Sequence, residues 1–318
     1  MKFYKYQGTG NDFIMIDNRD NSFSEQQKKD KDFIEKLCHR RFGIGADGLI
    51  LIENSKENSK ENSKENTTEN NQTEKTDFAM VYFNSDGNLG SMCGNGGRCA
   101  VAFAYRLGVF EGKETTFMAF DGLHFAKVAS VENQEKQTIT QVELQMSDIS
   151  EVETNRNTDK EFYFLNTGSP HYVSFLDKEK IQNGLENYAV VEEGKKVRYN
   201  DRFKKEGTNV NFVLPNANNS EKNSIFVRTY ERGVEDETLS CGTGVTACAL
   251  AYCLYDQNLN TDLDKQTHNP NLINVQTLGG NLKVRFDYSN LSQNNNSKHN
   301  FTNIFLIGAA TAVFEGSL

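Results

Sequence analysis

The sequence predicts an α/β (α+β) chain of two pseudo-symmetric domains, each a strand-rich sheet rolled around a central apolar helix. Three observations carry this. SMCGNGGRCA at 91–100 is echoed by SCGTGVTACA at 240–249, about half the chain further on. Each phrase opens a run apolar on most faces, Ala100–Leu107 (closed by Gly108) and Ala247–Tyr255, and helices apolar all round lie at the centre of a fold. Around them stand many short alternating runs of the kind that form half-buried strands.

The elements follow in order. Ser24 and Gln27 make an S-x-x-Q capping box that starts a helix, with Phe33, Ile34, Leu37 and Cys38 on one face. Strand-like runs are Phe13–Ile16, Leu49–Ile52, Ala79–Phe83, Phe117–Phe120, Phe125–Val128 and Val142–Met146. In the second half they are Phe162–Leu165, Tyr172–Phe175, Asn211–Leu214, Phe226–Tyr230, Ile273–Thr277, Leu282–Phe286 and Ile304–Ile307. The halves read as repeats: 8–17 with 207–216, 81–97 with 227–245, and 118–128 with 275–286. Residues 53–77 differ in kind. Glu-Asn-Ser-Lys repeats from Glu53 to Lys64, and nothing apolar appears before Phe78, so the segment reads as a disordered hairpin loop whose length costs little. Ser289–Asn300 and 256–271 read as further overgrown turns.

Composition narrows the functions. The chain has 318 residues, enough for two domains, and a net charge of −9 that offers no basic face to nucleic acid. No apolar run approaches the ~20 residues of a membrane span, and the start MKFYKYQGTGNDF lacks a signal-peptide core. A cytoplasmic protein without membrane or nucleic-acid partners is expected. Its six cysteines should then be thiols. Without a Cys-x-x-Cys pair or clustered His, no metal site is expected.

Cys93 and Cys241 each precede Gly-x-Gly at a helix start. Free backbone N–H groups and the helix dipole there lower a thiol's pKa and favour a bound anion. One element can thus tune a thiol and grip a substrate carboxylate. Two such thiols are suited to removing a proton from one face of a carbon and returning one to the other, with no cofactor. Cys99, Cys248 and Cys253 lie further along the helices and read as packed hydrophobes. Asn11, Asn84, Asn95 and Asn209 sit in loops beside strands, where polar side chains reach a site. Glu231-Arg232 offers an anchor for an ammonium group and a fork for a carboxylate. His171 lies in a turn, GSPHYV.

Together these residues resemble the diaminopimelate epimerase family, through GTGNDF, RRFGIGADGL, YFNSDGNLGSMCGNGGRCA, NTGSPHYV, GTNVNFV, YERGVEDETLSCGTGVTACA and IGAATAVFEG. The resemblance implies a metal-free and pyridoxal-free isomerase that converts LL-2,6-diaminoheptanedioate to the meso form, for lysine and peptidoglycan synthesis. It implies Cys93 and Cys241 as the acid–base pair, with assistance from His171 and Glu231. Substrate-binding positions by the same carry-over are Asn11, Asn84, Gly94, Asn95, Ser169, Asn209, Glu231, Arg232, Gly242 and Thr243. The implied domains are 1–147 with the insertion at 53–77, 148–302, and a closing strand 303–318 that returns to the first half, with the site in the cleft. The partner is a small molecule with two amino-carboxylate ends, and a homodimer is the family's expectation. Two departures concern affinity: Gly48 stands where some members carry Gln, and Ser169 where some carry Asn. The alternative is a proline racemase or hydroxyproline epimerase, which shares the two-thiol logic. Arg98 and Arg232 argue for a longer, doubly charged substrate, and the N-G-x-R-C extension of the first cysteine motif favours diaminopimelate.

Overall fold

The computed structural model describes residues 1–55, 75–134, 137–155, 161–177, 181, 185–215, 223–256, 271–290 and 299–318. Of the turns expected at 53–77, 256–271 and 289–300, residues 56–74, 257–270 and 291–298 lie outside the described residues, while Glu53, Asn54, Asn271, Ser289, Asn290, His299 and Asn300 extend the flanking strands, where pairing continues past the apolar runs. The chain divides into two compact units. One is Met1–Leu144 with Ala309–Leu318, the other Gln145–Gly308.

In the first unit β1 (Lys2–Gly8) and β2 (Asn11–Asp17) form a hairpin. The chain crosses through α1 (Glu25–Lys29) and α2 (Lys31–Cys38) to β3 (Gly48–Asn54), parallel to β2. The Ser24 capping box is formed, but the helix breaks at Asp30, whose carboxylate accepts from Phe33 N (3.0 Å) and caps a second helix. β4 (Phe78–Asn84) pairs antiparallel with β3. α3 (Gly94–Arg106) then leads to β5 (Glu114–Ala119), parallel to β4, and on to β6 (Gly122–Gln134) and β7 (Gln137–Gln145). The last strand, β16 (His299–Ser317), closes the ring, because its final residues pair with both β1 and β7. Every residue of α3 from Gly94 to Ala104 is buried inside this roll, against β1, β2, β3 and β6. β3 is buried on both faces: Ile50 lies by the start of α3, while Leu49 and Leu51 pack with Ile34, Leu37 and Cys38 of α2. Burial on both faces explains its unbroken apolar run.

The second unit repeats this plan. β8 (Val152–Asn155), β9 (Phe162–Asn166) and β10 (Pro170–Phe175) are followed by a 3-10 turn (Leu185–Asn187), α4 (Val190–Arg198) and β11 (Asn209–Pro215), parallel to β10. β12 (Ser224–Glu231) pairs with β11 and with the short β13 (Asp236–Thr238). α5 (Gly242–Tyr255) then leads to β14 (Asn271–Thr277), parallel to β12, and to β15 (Gly280–Asn290), which pairs with the first part of β16. The bridge Ile149–Phe301 and the bond from Met146 N to the Ile304 carbonyl (2.8 Å) bring the strand entry onto β16. α5 is buried from Gly244 to Leu254 and touches β9–β12, β14 and β15.

All the strand-like runs named from the sequence fall on strands, with Phe120 and Met146 one residue past the ends of β5 and β7. The repeat needs one correction. The β2–β3 crossover at Phe13–Gly48 has its counterpart in β10–β11 at His171–Asn209, both parallel. Segment 8–17 therefore corresponds to NTGSPHYVSF at 166–175, and 207–215 corresponds to 46–54, so the sequence match of 8–17 with 207–216 is not the structural repeat. The two segments look alike because both are a Gly-Thr turn followed by a buried strand. Only the hydrogen-bonded neighbours distinguish them. The other two repeat pairs coincide with the helix entries and with the hairpins β5–β6 and β14–β15.

Candidate active site

Cys93 and Cys241 occupy the same place in the two units, the N-cap of the central helix. Both are extended there (φ −97°, ψ 131° and φ −114°, ψ 112°) and neither spends its side chain on capping. Both are partly exposed, and the other four cysteines are buried. Burial pushes the Cys38, Cys99 and Cys253 thiols up to about 12 and raises Cys248 well above its ordinary value. Those four stay protonated at neutral pH and are poor acid–base groups. The half-exposed pair at the helix starts is thus set apart by environment as well as by motif.

The second glycine of each motif has a steric reason. A Cβ at Gly244 would lie 2.6 Å from Asn211 Oδ1, and one at Gly96 would lie 3.3 Å from Ile50 Cδ1. Each helix start is pressed onto equivalent strand positions, Phe13 and Ile50 in one unit, His171 and Asn211 in the other. Backbone scaffolds match while side chains differ. The first thiol's unit supplies apolar neighbours where the second supplies a polar set.

In the second unit His171 is fully buried. Asn211 Nδ2 donates to the Tyr172 carbonyl (3.0 Å), which fixes the amide, and to His171 Nδ1 (3.1 Å). Thr229 Oγ1 donates to Asn211 Oδ1 (3.0 Å) from the other side. His171 Nδ1 is thus an acceptor, and the neutral ring carries its proton on Nε2. Nε2 lies 3.0 Å from Ser169 Oγ and 2.9 Å from Thr243 Oγ1, which lies 3.4 Å from Cys241 Sγ. Burial, then the nearby Arg232 charge, lower the His171 pKa to about 3, so the ring is neutral at physiological pH. Asn209 is buried, donates to Ser169 Oγ and the Pro170 carbonyl (both 3.1 Å), and accepts from Arg232 N (2.9 Å). The Arg232 side chain is exposed, with one NH on the Glu206 carbonyl (3.0 Å), while Glu231, half-buried, ends β12.

In the first unit Asn11 opens β2, Asn84 ends β4, and Gly94 and Asn95 form the first turn of α3. Asn95 Nδ2 donates to Asn11 Oδ1 (2.5 Å), and Asn95 Oδ1 accepts from Thr9 Oγ1 (3.2 Å) and Arg98 (3.0 Å). Asn95 is therefore a helix residue and not a loop residue. Asn11, Asn84 and Asn209 are end residues of strands and not of loops, and by strand register Asn209 corresponds to Gly48, and Asn11 to Ser169. Gly48 cannot carry a side chain, since a Cβ there would lie 2.5 Å from both Tyr82 Cε2 and the Phe83 carbonyl oxygen. The Tyr82 ring fills that space, edge-on to Phe13 at 6.0 Å.

Arg98 does not bear on substrate length. It is fully buried and donates to Gly94 O (3.3 Å), Thr9 Oγ1 (2.9 Å) and Asn95 Oδ1. Burial lowers its pKa to about 10, so it is cationic at pH 7. Sequence reasoning also passed over Thr9, Asp47, Asn211 and Thr229. Thr9, Asp47 and Asn211 lie within GTGNDF, RRFGIGADGL and GTNVNFV, and Thr229 alone of the four lies outside the motifs named above. Among the described residues no group of three or more His, Cys, Asp or Glu is placed to hold a metal ion, and no helix is long and apolar enough to cross a membrane.

Solved structures share this fold across the whole chain. A Bacillus anthracis phenazine biosynthesis protein of the PhzF family matches at TM-score 0.62 and 13% identity, covering 100% of this chain and 98% of that one. A hydroxyproline epimerase from Agrobacterium vitis matches at TM-score 0.56 and 12% identity, covering 100% and 90%. These likenesses define the class by fold, two similar units each wrapped around one helix. Sequence takes the assignment further. The profile of the diaminopimelate epimerase family matches residues 3–146 and 163–298. The diaminopimelate epimerase of Flavobacterium psychrophilum is 46% identical over 318 residues, the full length of both chains. The chain belongs to the diaminopimelate epimerase family and is an isomerase.

Proposed function

We propose that the protein interconverts LL- and meso-2,6-diaminoheptanedioate, with Cys93 and Cys241 as the two proton carriers. The observation that supports it best is the shared environment of these two cysteines, half-exposed at helix N-caps while four others are buried. One thiolate takes the α-proton and the other thiol delivers a proton to the opposite face, so configuration inverts with no net change in atoms. The backbone N–H groups of the first helical turn after each cysteine, at Gly94-Asn95 and Gly242-Thr243, point the positive end of the helix dipole at the substrate carboxylate next to the reacting carbon. Asn11, Asn84, Ser169, Asn209, Glu231 and Arg232 bind the remaining polar groups. A neutral His171 acts through Thr243, whose hydroxyl lies between the ring and Cys241. Being uncharged, the ring does not hold the thiolate as an imidazolium would. The reaction needs neither metal nor pyridoxal phosphate. The enzyme works in the cytoplasm as a homodimer, on the strength of the family alone.

The test is stereochemical. The protein is incubated in deuterated water with LL-diaminopimelate or with L-proline, and product configuration and α-deuterium are read. Epimerised, deuterated diaminopimelate with untouched proline is expected. Cys93→Ala and Cys241→Ala should each abolish epimerisation while the fold survives. Turnover of proline alone would replace the substrate, and full activity in either variant would end the two-thiol reading.

A further inference from the structure

We propose that Asp47 is a positioning residue that locks the side-chain amide of Asn11 in one orientation for substrate, an inference that rests on the epimerase reading above. Asp47 lies just before β3, and its Oδ2 accepts from Asn11 Nδ2 (3.1 Å) and from Asp12 N (3.2 Å). A carboxylate only accepts, so Asn11 must turn its nitrogen to Asp47 and its oxygen away. That oxygen takes the bond from Asn95 Nδ2 at 2.5 Å. Asn95 must in turn present its oxygen to Thr9 and to Arg98, whose guanidinium only donates. The chain Asp47–Asn11–Asn95–Arg98 thus has an acceptor-only group at one end and a donor-only group at the other. Turning Asn11 over would set like groups against each other at both Asp47 and Asn95, and turning Asn95 over would do so at Asn11 and Arg98. One arrangement is left, and in it Asn11 keeps a second N–H available to an anionic substrate oxygen.

The charges around Asp47 fit this role. Arg40 donates to Asp47 Oδ1 (2.6 Å) and to both oxygens of Asp12 (2.7 and 3.0 Å). Lys5, itself buried, pairs with Asp12 at 2.7 Å and donates to the Gly45 carbonyl. Two cations offset two carboxylates, so the network reaches Asn11 without adding net negative charge beside an anionic substrate. The unit holding Cys241 is built differently. Ser169 takes the place of Asn11 there, and a hydroxyl can rotate to serve as donor or acceptor. At this position only the first unit has an amide to fix.

The test uses the full chain and steady-state epimerisation of diaminopimelate by wild type, Asp47→Leu, Asp47→Asn, Asn11→Leu and Asp47→Leu/Asn11→Leu. Loss of one oriented hydrogen bond should raise KM about 10-fold in Asp47→Leu, with kcat within about 3-fold. Asp47→Asn keeps an acceptor oxygen but permits the turned-over pairing, and should fall between the two. The double variant should match Asn11→Leu alone, because Asp47 acts only through that amide. Multiplicative losses in the double variant would overturn the proposal. So would an unchanged KM in Asp47→Leu, or a parallel fall of kcat and melting temperature in both Asp47 variants with KM unmoved. An unchanged KM in Asn11→Leu of an active wild-type enzyme would also overturn it. A wild type that does not epimerise diaminopimelate refutes the underlying reading instead.

Discussion

The neutral buried His171 gives folding stability a pH dependence that can be worked out in advance. The ring titrates near its ordinary 6.5 when unfolded and at about 3 when folded. Between those values the unfolded chain holds a proton that the folded chain does not. Stability is therefore full above pH 6.5 and is lost as pH falls toward 3. Each pH unit in that window costs about 1.4 kcal/mol, so at pH 5 this one group removes about 2 kcal/mol relative to pH 7.5. The control is His171→Phe, since Phe13 occupies the equivalent position of the other unit and does not titrate. That variant removes one hydrogen bond each from Asn211 Nδ2 and the Ser169 and Thr243 hydroxyls, which keep other partners, a destabilisation of about 1 kcal/mol per lost bond that does not vary with pH. Urea unfolding of both proteins at pH 5, 6, 7 and 8 is the assay. The wild-type curve should approach that of the variant by about 2 kcal/mol on going from pH 7.5 to 5. Asp12 does not interfere. Burial works to raise its pKa, but hydrogen bonds from Arg40 and Lys5 outweigh this and hold it at about 2, so its contribution is lost only below the pH range used. Parallel pH profiles for wild type and variant would refute the argument, as would a His171 proton NMR signal that titrates near 6.5 in the folded state.

Other expectations follow from single contacts. Ser55 and Thr76 hydroxyls meet at 2.6 Å across the paired ends of β3 and β4. Replacing 56–74 by a short Gly-containing turn should leave activity unchanged and stability within about 0.5 kcal/mol, and a loss of several kcal/mol in a denaturant melt would contradict this. Gly48→Ala would force a Cβ to within 2.5 Å of the Phe83 carbonyl, a backbone atom with no room to move. It should destabilise the chain by about 1–3 kcal/mol, and an unaltered melting temperature would show that β3 and β4 can part there. Metal-stripped enzyme should retain full epimerase activity, and loss with a chelator that a divalent cation restores would refute cofactor-free chemistry.

How much of this was legible in advance differs between backbone and side chain. Apolar periodicity and the repeated Cys-Gly-x-Gly identified two units, their central helices and the thiol pair, because those features depend on local pattern and on burial along one helix. The Ser24 capping box was equally local, and it formed. Strand partners were not legible. The likeness of 8–17 to 207–216 comes from a shared turn and a shared buried strand, and which strand pairs with which is decided by crossovers through α1, α2 and α4. Arg98 shows the same divide. As a letter in a motif it looked like a carboxylate receptor, and only packing places it wholly inside, bonded to Thr9 and Asn95. Asp47, Asn211 and Thr229 act on neighbours far away in sequence, through hydrogen bonds whose direction depends on which atoms the fold brings opposite each other. By itself, then, the sequence determined the class of fold, the family and the pair of thiols, all encoded in local pattern. Tertiary structure alone decided the protonation of His171, the burial of Arg98 and the orientation of the Asn11 amide, because desolvation and hydrogen-bond direction exist only once distant strands are side by side.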